Sequence, residues 1–381
     1  MSYFDNNATT PMTPAARDVL HASLGQDWAN PSSPYLSSAR VRASMEKCRE
    51  SIASFLRVSS DQVVFTSGAT ESNNSVFSNV ARVSSPSSRV LISPYEHPSV
   101  SEAANYWFSG RVDLMPYTVN GSLDTDQLAE YLNTSAKPAL VSVMAASNES
   151  GVIQPWRQVA TLCMNHGIPY HCDSTQLPGK ENVDDLNLCT FSVSSAHKFG
   201  GPKGVGWLVG DGASSLLLGG AQEKGRRGGT ENFPSIVSAF SAWQSNVDRS
   251  IDSRKLSLLR DEFEKHMATE FPSIRFIGQN SPRLWNTSLF IMPKFENLRW
   301  VGKLDKLGYQ VSTGSACSTT KNGGSPIAQA MNLSPVDSLK LLRVSSFHSH
   351  TREDWDGLLA AFVQVYCELK MESSDSSVIS I

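Results

Sequence analysis

Apolar positions along the chain switch between two periods. Val41, Met45, Cys48, Ile52 and Phe55 recur at spacings of three and four, which predicts an amphipathic helix. Residues 62–66 follow as a β-branched and aromatic run of strand type, closed by a turn at Ser67-Gly68. The alternation then repeats. Strands are predicted at residues 90–93, 112–115, 139–143, 169–172 and 191–193, with helices between most of them, for example around 99–108 and 156–165. Strands alternating with helices of this length imply a mainly parallel sheet covered on both faces.

Beyond about residue 250 the pattern changes. Leu256, Leu259, Phe263 and Met267 mark a charged helix, and strand-like runs follow at 274–277 and 289–292. Thr351 and Asp354 form a capping signal ahead of an apolar stripe of Trp355, Leu358, Phe362, Val365 and Leu369. The expectation is a large α/β domain over 14–250 and a smaller α+β domain built from 1–13 and 251–371. The polar residues 372–381 are expected to be a disordered tail.

Composition narrows the class. The 381 residues are 40% apolar and 18% charged with a net charge of −3, which gives no electrostatic footprint for nucleic acid. No apolar run reaches membrane-spanning length, and the polar start Met-Ser-Tyr-Phe-Asp lacks the pattern of a signal peptide, so a cytoplasmic protein is expected. Six cysteines are scattered without a C-x-x-C pair, against a disulfide framework or a structural zinc site. Five of them are expected to be small core hydrophobes. Cys317 stands apart, in the small and polar stretch Ser312-Thr-Gly-Ser-Ala-Cys317-Ser-Thr-Thr-Lys321, where a loop is predicted.

Three stretches carry candidate chemistry. In Ser195-Ala-His197-Lys198-Phe-Gly-Gly201 a lysine follows an apolar strand and precedes glycines. A desolvated lysine there could hold an aldehyde as a Schiff base, and a surface turn lysine is the plain alternative. In Tyr170-His-Cys172-Asp173-Ser-Thr-Gln176 a carboxylate ends a strand, where open α/β sheets place ligand-binding groups; it could equally cap a helix. Asp173 suits a pyridine nitrogen, and Gln176 a ring hydroxyl. In Thr66-Ser67-Gly68-Ala69-Thr70-Glu71 small residues lead from strand to helix, either an anion site or simply a good N-cap.

Together with Asp5-Asn-Asn7-Ala-Thr-Thr10, Glu96-His97, Asn148-Glu-Ser-Gly151, Arg227-Gly-Gly-Thr230-Glu-Asn and Gly314-Ser-Ala-Cys317, these stretches follow a family order. Along almost its whole length the sequence resembles the NifS/IscS-like cysteine desulfurases, within the class V aminotransferase-like enzymes of fold type I. The resemblance implies a three-layer α/β/α large domain with a smaller α+β domain. It also implies pyridoxal 5'-phosphate on Lys198, with Asp173 on the ring nitrogen, Gln176 on the ring hydroxyl and His97 stacked on the ring. Ala69, Thr70, Ser195 and His197 would hold the phosphate, and Thr230 the phosphate of a second subunit, hence a homodimer. Asn148 and Arg343 would grip the carboxylate of L-cysteine. Cys317 would take its sulfur as a persulfide and pass it to an acceptor protein, leaving alanine.

Some positions depart from the family pattern. Tyr35 stands where a histidine is usual, Ser318 where a threonine is usual, and His348 replaces the second arginine of the motif that begins at Arg343. His348 and His350 could share a face, but lacking a nearby Cys or carboxylate cluster in sequence they read as a rim pair, and no metal site is expected. Rival readings are a selenocysteine lyase, a transaminase or epimerase that has no use for Cys317, and a non-catalytic subunit, which should have lost Lys198, Asp173 or Cys317.

Overall fold

A computed structural model describes residues 1–118, 120–247, 252–314 and 325–376. The chain opens with β1 (Ser2–Tyr3) and runs through α1 (Pro14–Gln26) and α2 (Leu36–Leu56) into β2 (Val63–Thr66) and α3 (Ala69–Val83). There follow β3 (Val90–Ile92), α4 (Pro98–Trp107), β4 (Val112–Leu114), α5 (Thr125–Thr134) and β5 (Leu140–Ser142). Next come α6 (Trp156–His166), β6 (Tyr170–Asp173), β7 (Phe191–Ser195), β8 (Gly206–Gly210) and α7 (Phe233–Val247). The later chain holds α8 (Ser253–Glu270), β9 (Arg275–Ile277), β10 (Thr287–Ile291), α9 (Asn297–Lys306), β11 (Tyr309–Gln310) and β12 (Leu341–Ser345). A long C-terminal helix covers Arg352–Ser376.

Seven strands form the main sheet in the order β2-β8-β7-β6-β5-β3-β4. From β7 to β4 every pairing is parallel, while β8 runs antiparallel to both β7 and β2. Side chains alternate between two buried faces: Val63 and Phe65 enter one core, Val64 the other. Burial on both sides explains why these strands read as short apolar runs. Strand β8 went unread because Gly204 and Gly206 gave the look of a turn; its Trp207, Leu208 and Val209 are buried.

Strand order reverses between β3 and β5, which lie side by side with β4 beyond β3. A crevice opens at the carboxyl ends of strands at such a point. The loops leaving β3 and β5 therefore carry His97 and Asn148 to one place.

The later chain packs a second core on Phe4, Phe263, Phe290, Trp300 and the whole predicted stripe from Trp355 to Leu369. Its sheet is β12-β10-β9, and β1 pairs with β11. An early segment is stitched into this late part: Phe4 N–H donates to Gln310 O at 2.8 Å, and Ser345 N–H to Phe4 O at 2.8 Å.

Two expectations need correcting. The C-terminal helix continues to Ser376, so residues 372–376 are helical where composition predicted a disordered tail. Glu372 anchors that extension on Lys303 at 2.7 Å and Arg299 at 2.8 Å. Residues 377–381 lie outside the described residues. Cys367 is exposed rather than a core residue, because it falls off the buried stripe of its helix. No helix among the described residues is long and apolar enough to cross a membrane.

Candidate active site

The crevice holds a cavity of about 580 Å³. Its lining brings together Ala69 and Thr70 from the start of α3, His97, Asn148, Asp173 and Gln176, and Ser195, His197 and Lys198 from the end of β7. Helix α3 can begin this close to the sheet because Gly68 takes a φ of +145°. Across from it, a Cβ on Gly206 would sit 2.8 Å from Gly68 Cα. The first turn of α3, at the positive end of its helix dipole, lines the cavity.

Lys198 ends a short 3-10 turn after β7, and its Nζ donates to the carbonyl oxygens of Asn7 at 2.6 Å and Ala8 at 2.9 Å. Asp173 closes β6. Its Oδ1 accepts from Thr175 N–H at 3.0 Å and its Oδ2 from Asn73 Nδ2 at 2.9 Å. The Asn73 amide is thereby oriented with Oδ1 toward His171 Nε2, 3.1 Å away, while His171 Nδ1 meets Ser142 Oγ at 2.8 Å. Burial pushes the His171 pKa down to about 4, so the ring is neutral at pH 7. The carboxylate thus meets amide and backbone donors, with a neutral histidine behind them.

His97 caps α4 by accepting the Ser99 N–H at Nδ1, 3.1 Å away, which leaves the ring proton on Nε2. Burial lowers its pKa; Asp173 opposes that shift and Lys198 adds to it. His197 meets Thr9 Oγ1 at 3.1 Å, and burial followed by Lys198 and Lys203 pushes it down to about 4. Glu71 accepts from Ser67 N–H, Ser215 Oγ and Arg227 Nε at 2.8, 2.8 and 3.2 Å. Burial alone would raise its pKa, but Arg227 and Ser67 bring it below the usual carboxylate value.

Arg343 lies in the middle of β12, buried beneath Asn148. It donates to Asn148 O at 3.0 Å and to Asp5 Oδ1 at 2.5 Å, and its Nε has no partner among the described residues. Thr230 is exposed and does not line the cavity. Cys317 and Lys321 lie outside the described residues. His350 packs its ring 4.3 Å from Phe4, and no group of three or more His, Cys, Asp or Glu among the described residues is placed to hold a metal ion.

Several residues of the site escaped the sequence reading. Asn73 is one. Asn7 is another: its carbonyl meets Lys198 and Gln176, and its side chain meets Thr287, Lys180 and Asn286. Asp5 and Lys180 complete the set. The only sequence signal for Asn7 and Asp5 was their place in a family-like string, since their partners lie far along the chain.

Comparison with known proteins gives one consistent answer. The class-V aminotransferase family matches residues 2–358. A protein of Dictyoglomus turgidum named cysteine desulfurase IscS is 33% identical over 346 residues, 88% of this chain and 86% of that protein. Among solved structures, a NifS-like protein superposes with a TM-score of 0.86 at 29% identity, covering 96% of this chain and 99% of the other. SspA in complex with cysteine superposes with a TM-score of 0.77 at 26% identity, over 91% of this chain and 99% of that one.

Proposed function

The chain belongs to the class-V aminotransferase family and, within it, to the cysteine desulfurases, and from that premise we propose that it takes sulfur from L-cysteine and leaves L-alanine, with pyridoxal 5'-phosphate as cofactor. The observation that carries this reading is the pairing of Lys198 with Asp173. An amine and an amide-held carboxylate face one cavity, with a helix N-terminus beside them. The donor set fits the cofactor: an amine for its aldehyde, a carboxylate for its ring nitrogen, and backbone N–H groups for its phosphate. The volume is also of the right order for a bound cofactor and a small amino acid.

The cofactor, when bound, supplies an electron sink. The chain's own residues do the rest. Lys198 Nζ would hold the cofactor and would serve as the base for the α-proton of the substrate. The Asp173 carboxylate would pair with the ring nitrogen and hold its proton there. The neutral His97 ring, with its N–H on Nε2, would lie against the cofactor, and Gln176 would meet the ring oxygen. Ala69, Thr70, Ser195 and the neutral His197 receive the phosphate. Asn148 and the Arg343 guanidinium receive the substrate carboxylate.

The Cys317 thiolate attacks the substrate sulfur: an S–S bond forms, the C–S bond breaks, and its electron pair goes to the carbon that becomes the alanine methyl. Alanine leaves and Cys317 keeps the persulfide for an acceptor protein. The reading extends to a cytoplasmic homodimer in which Thr230 reaches the phosphate of the partner subunit. It also extends to a sulfur acceptor in iron–sulfur assembly or in tRNA or cofactor thiolation, and to domains of 14–250 against 1–13 with 251–371.

The test measures alanine and sulfide from L-cysteine with purified protein and pyridoxal phosphate. Wild type is expected to make alanine and a persulfide on Cys317. Cys317→Ala is expected to bind the cofactor and make neither. A Cys317→Ala variant with full alanine output would sink the sulfur-transfer reading.

A further inference from the structure

Directly behind the cavity lies a lysine that the reaction as described does not use. Lys180 Nζ is buried, and among the described residues it forms no ion pair with any carboxylate. It donates instead to two amide oxygens, Gln176 Oε1 at 2.5 Å and Asn7 Oδ1 at 3.2 Å. Trp285 Nε1 fixes the Lys180 backbone by donating to its carbonyl at 3.1 Å. Burial, then Lys198 and Arg343, hold its pKa well below the ordinary lysine value. Leaving a buried amine without a counter-charge is expensive, so such groups concentrate where they serve a site.

The identity of its partners is decisive. Both are oxygens, so Nζ donates to both, whether charged or neutral. The Asn7 amide is already fixed with its nitrogen toward Asn148 O, which turns Oδ1 to the lysine. Gln176 must likewise point its oxygen back at Lys180. Its Nε2 then faces the Asn7 carbonyl at 3.1 Å with one hydrogen, and the second hydrogen is left for the cavity that Gln176 lines. The reversed amide would set N–H against Nζ and oxygen against oxygen. A donor on the amide oxygen also polarises the amide and strengthens its N–H.

We propose that Lys180 is a positioning residue of this site: it holds the Gln176 amide so that an N–H, and not a carbonyl, is presented to the bound cofactor. This rests on the reading of the cavity as a pyridoxal-phosphate site. A donor there favours the state in which a facing oxygen carries uncompensated negative charge. It therefore lowers the pH at which the lysine-bound cofactor loses its proton.

The measurement is a pH titration of the visible absorbance of the holoenzyme. The charged and titratable groups bearing on Lys198 and Lys180 (Asp173, His97, His197, Lys203 and Arg343) stay in place in every variant. Lys180→Met is expected to raise the midpoint by about one pH unit, the order of one hydrogen bond to a charged oxygen. Gln176→Met should raise it by a similar amount, and the double variant no further, since Lys180 acts through Gln176. Lys180→Gln keeps a neutral donor for the Gln176 oxygen and should stay near the wild-type midpoint.

Three outcomes overturn the proposal: no shift in folded Lys180→Met, additive shifts in the double variant, or a Lys180→Gln midpoint that moves as far as Lys180→Met. The last two would mean that the charge acts alone. Should Lys180→Met not fold, Lys180→Ala takes its place with the same expected shift. A wild type that shows no lysine-bound absorbance on adding pyridoxal phosphate would instead remove the cofactor reading on which all of this stands.

Discussion

Arg49 and Arg343 are both buried arginines, one on α2 against the main sheet and the other on β12 of the three-stranded sheet, and they are satisfied very differently. Arg49 grips Glu223 with two hydrogen bonds at 2.7 and 2.8 Å and gives a third to Val63 O at 2.8 Å. Glu223 in turn accepts Phe65 N–H at 2.9 Å, fastening the 219–230 stretch to β2. That grip holds Glu223 and Lys224 at φ values of 49° and 57°, which side chains other than glycine rarely adopt. Arg343 is held by one oxygen of a mostly buried Asp5 and one carbonyl, with Nε left over among the described residues. A guanidinium whose donors are all filled is architecture. One with spare capacity, behind a cavity-lining residue such as Asn148, keeps a donor for a ligand.

That contrast can be broken. The largest effect should come from Arg49→Met, which strands the buried Glu223 carboxylate. A loss of about 3–5 kcal/mol in urea unfolding is expected, with most of it recovered when Glu223→Gln is added. A loss below about 1 kcal/mol would mean that the pair is dispensable and the contrast false.

Acid probes the same main-sheet side. The folded pKa of His171 is about 4 against 6.5 for the free side chain. The unfolded chain therefore takes up its proton first as pH falls. Stability is unaffected above about pH 7, is lost between about 6.5 and 4, and levels off below. The loss reaches about 3 kcal/mol at pH 4. Unfolding of wild type against His171→Asn across that range checks it, and parallel curves would refute the assignment.

Arg343→Lys keeps charge and loses the fork. It should reduce kcat/KM for cysteine about 100-fold, roughly 2.7 kcal/mol, with little change in unfolding. A stability loss as large as that of Arg49→Met would erase the difference between the two arginines. The smallest effect belongs to Asp5→Asn. It removes the anion paired with Arg343, so if Arg343 receives the substrate carboxylate as proposed, KM should fall about threefold, in line with a partly exposed pair.

Alternation of helix and strand was readable because it is local: each period lies within ten or so residues. Lys198 and Asp173 were readable for the same reason, as polar residues closing apolar strands. The rest of the site depends on pairs remote in sequence. Arg343 meets Asp5 across 338 positions and Lys198 meets Asn7 across 191. Such pairs leave no periodic trace. Strand β12, which carries Arg343, and the two-residue strands β1 and β11 are likewise too short or too dependent on distant partners to show in a window of sequence. The extension of the last helix was missed because composition ignores a single well-placed acid such as Glu372.

The stitching of the early segment has a consequence for how the protein is made. Asn7 N–H is held by Ser345 Oγ, 338 residues later in the chain. At roughly 5–20 residues per second, the ribosome needs about 20–70 s to supply that partner. Strands β2 to β8 can pair during that interval, but the carbonyls that cradle Lys198 cannot be locked until β12 has emerged. The pocket floor around Lys198 is thus completed only when the chain is nearly finished.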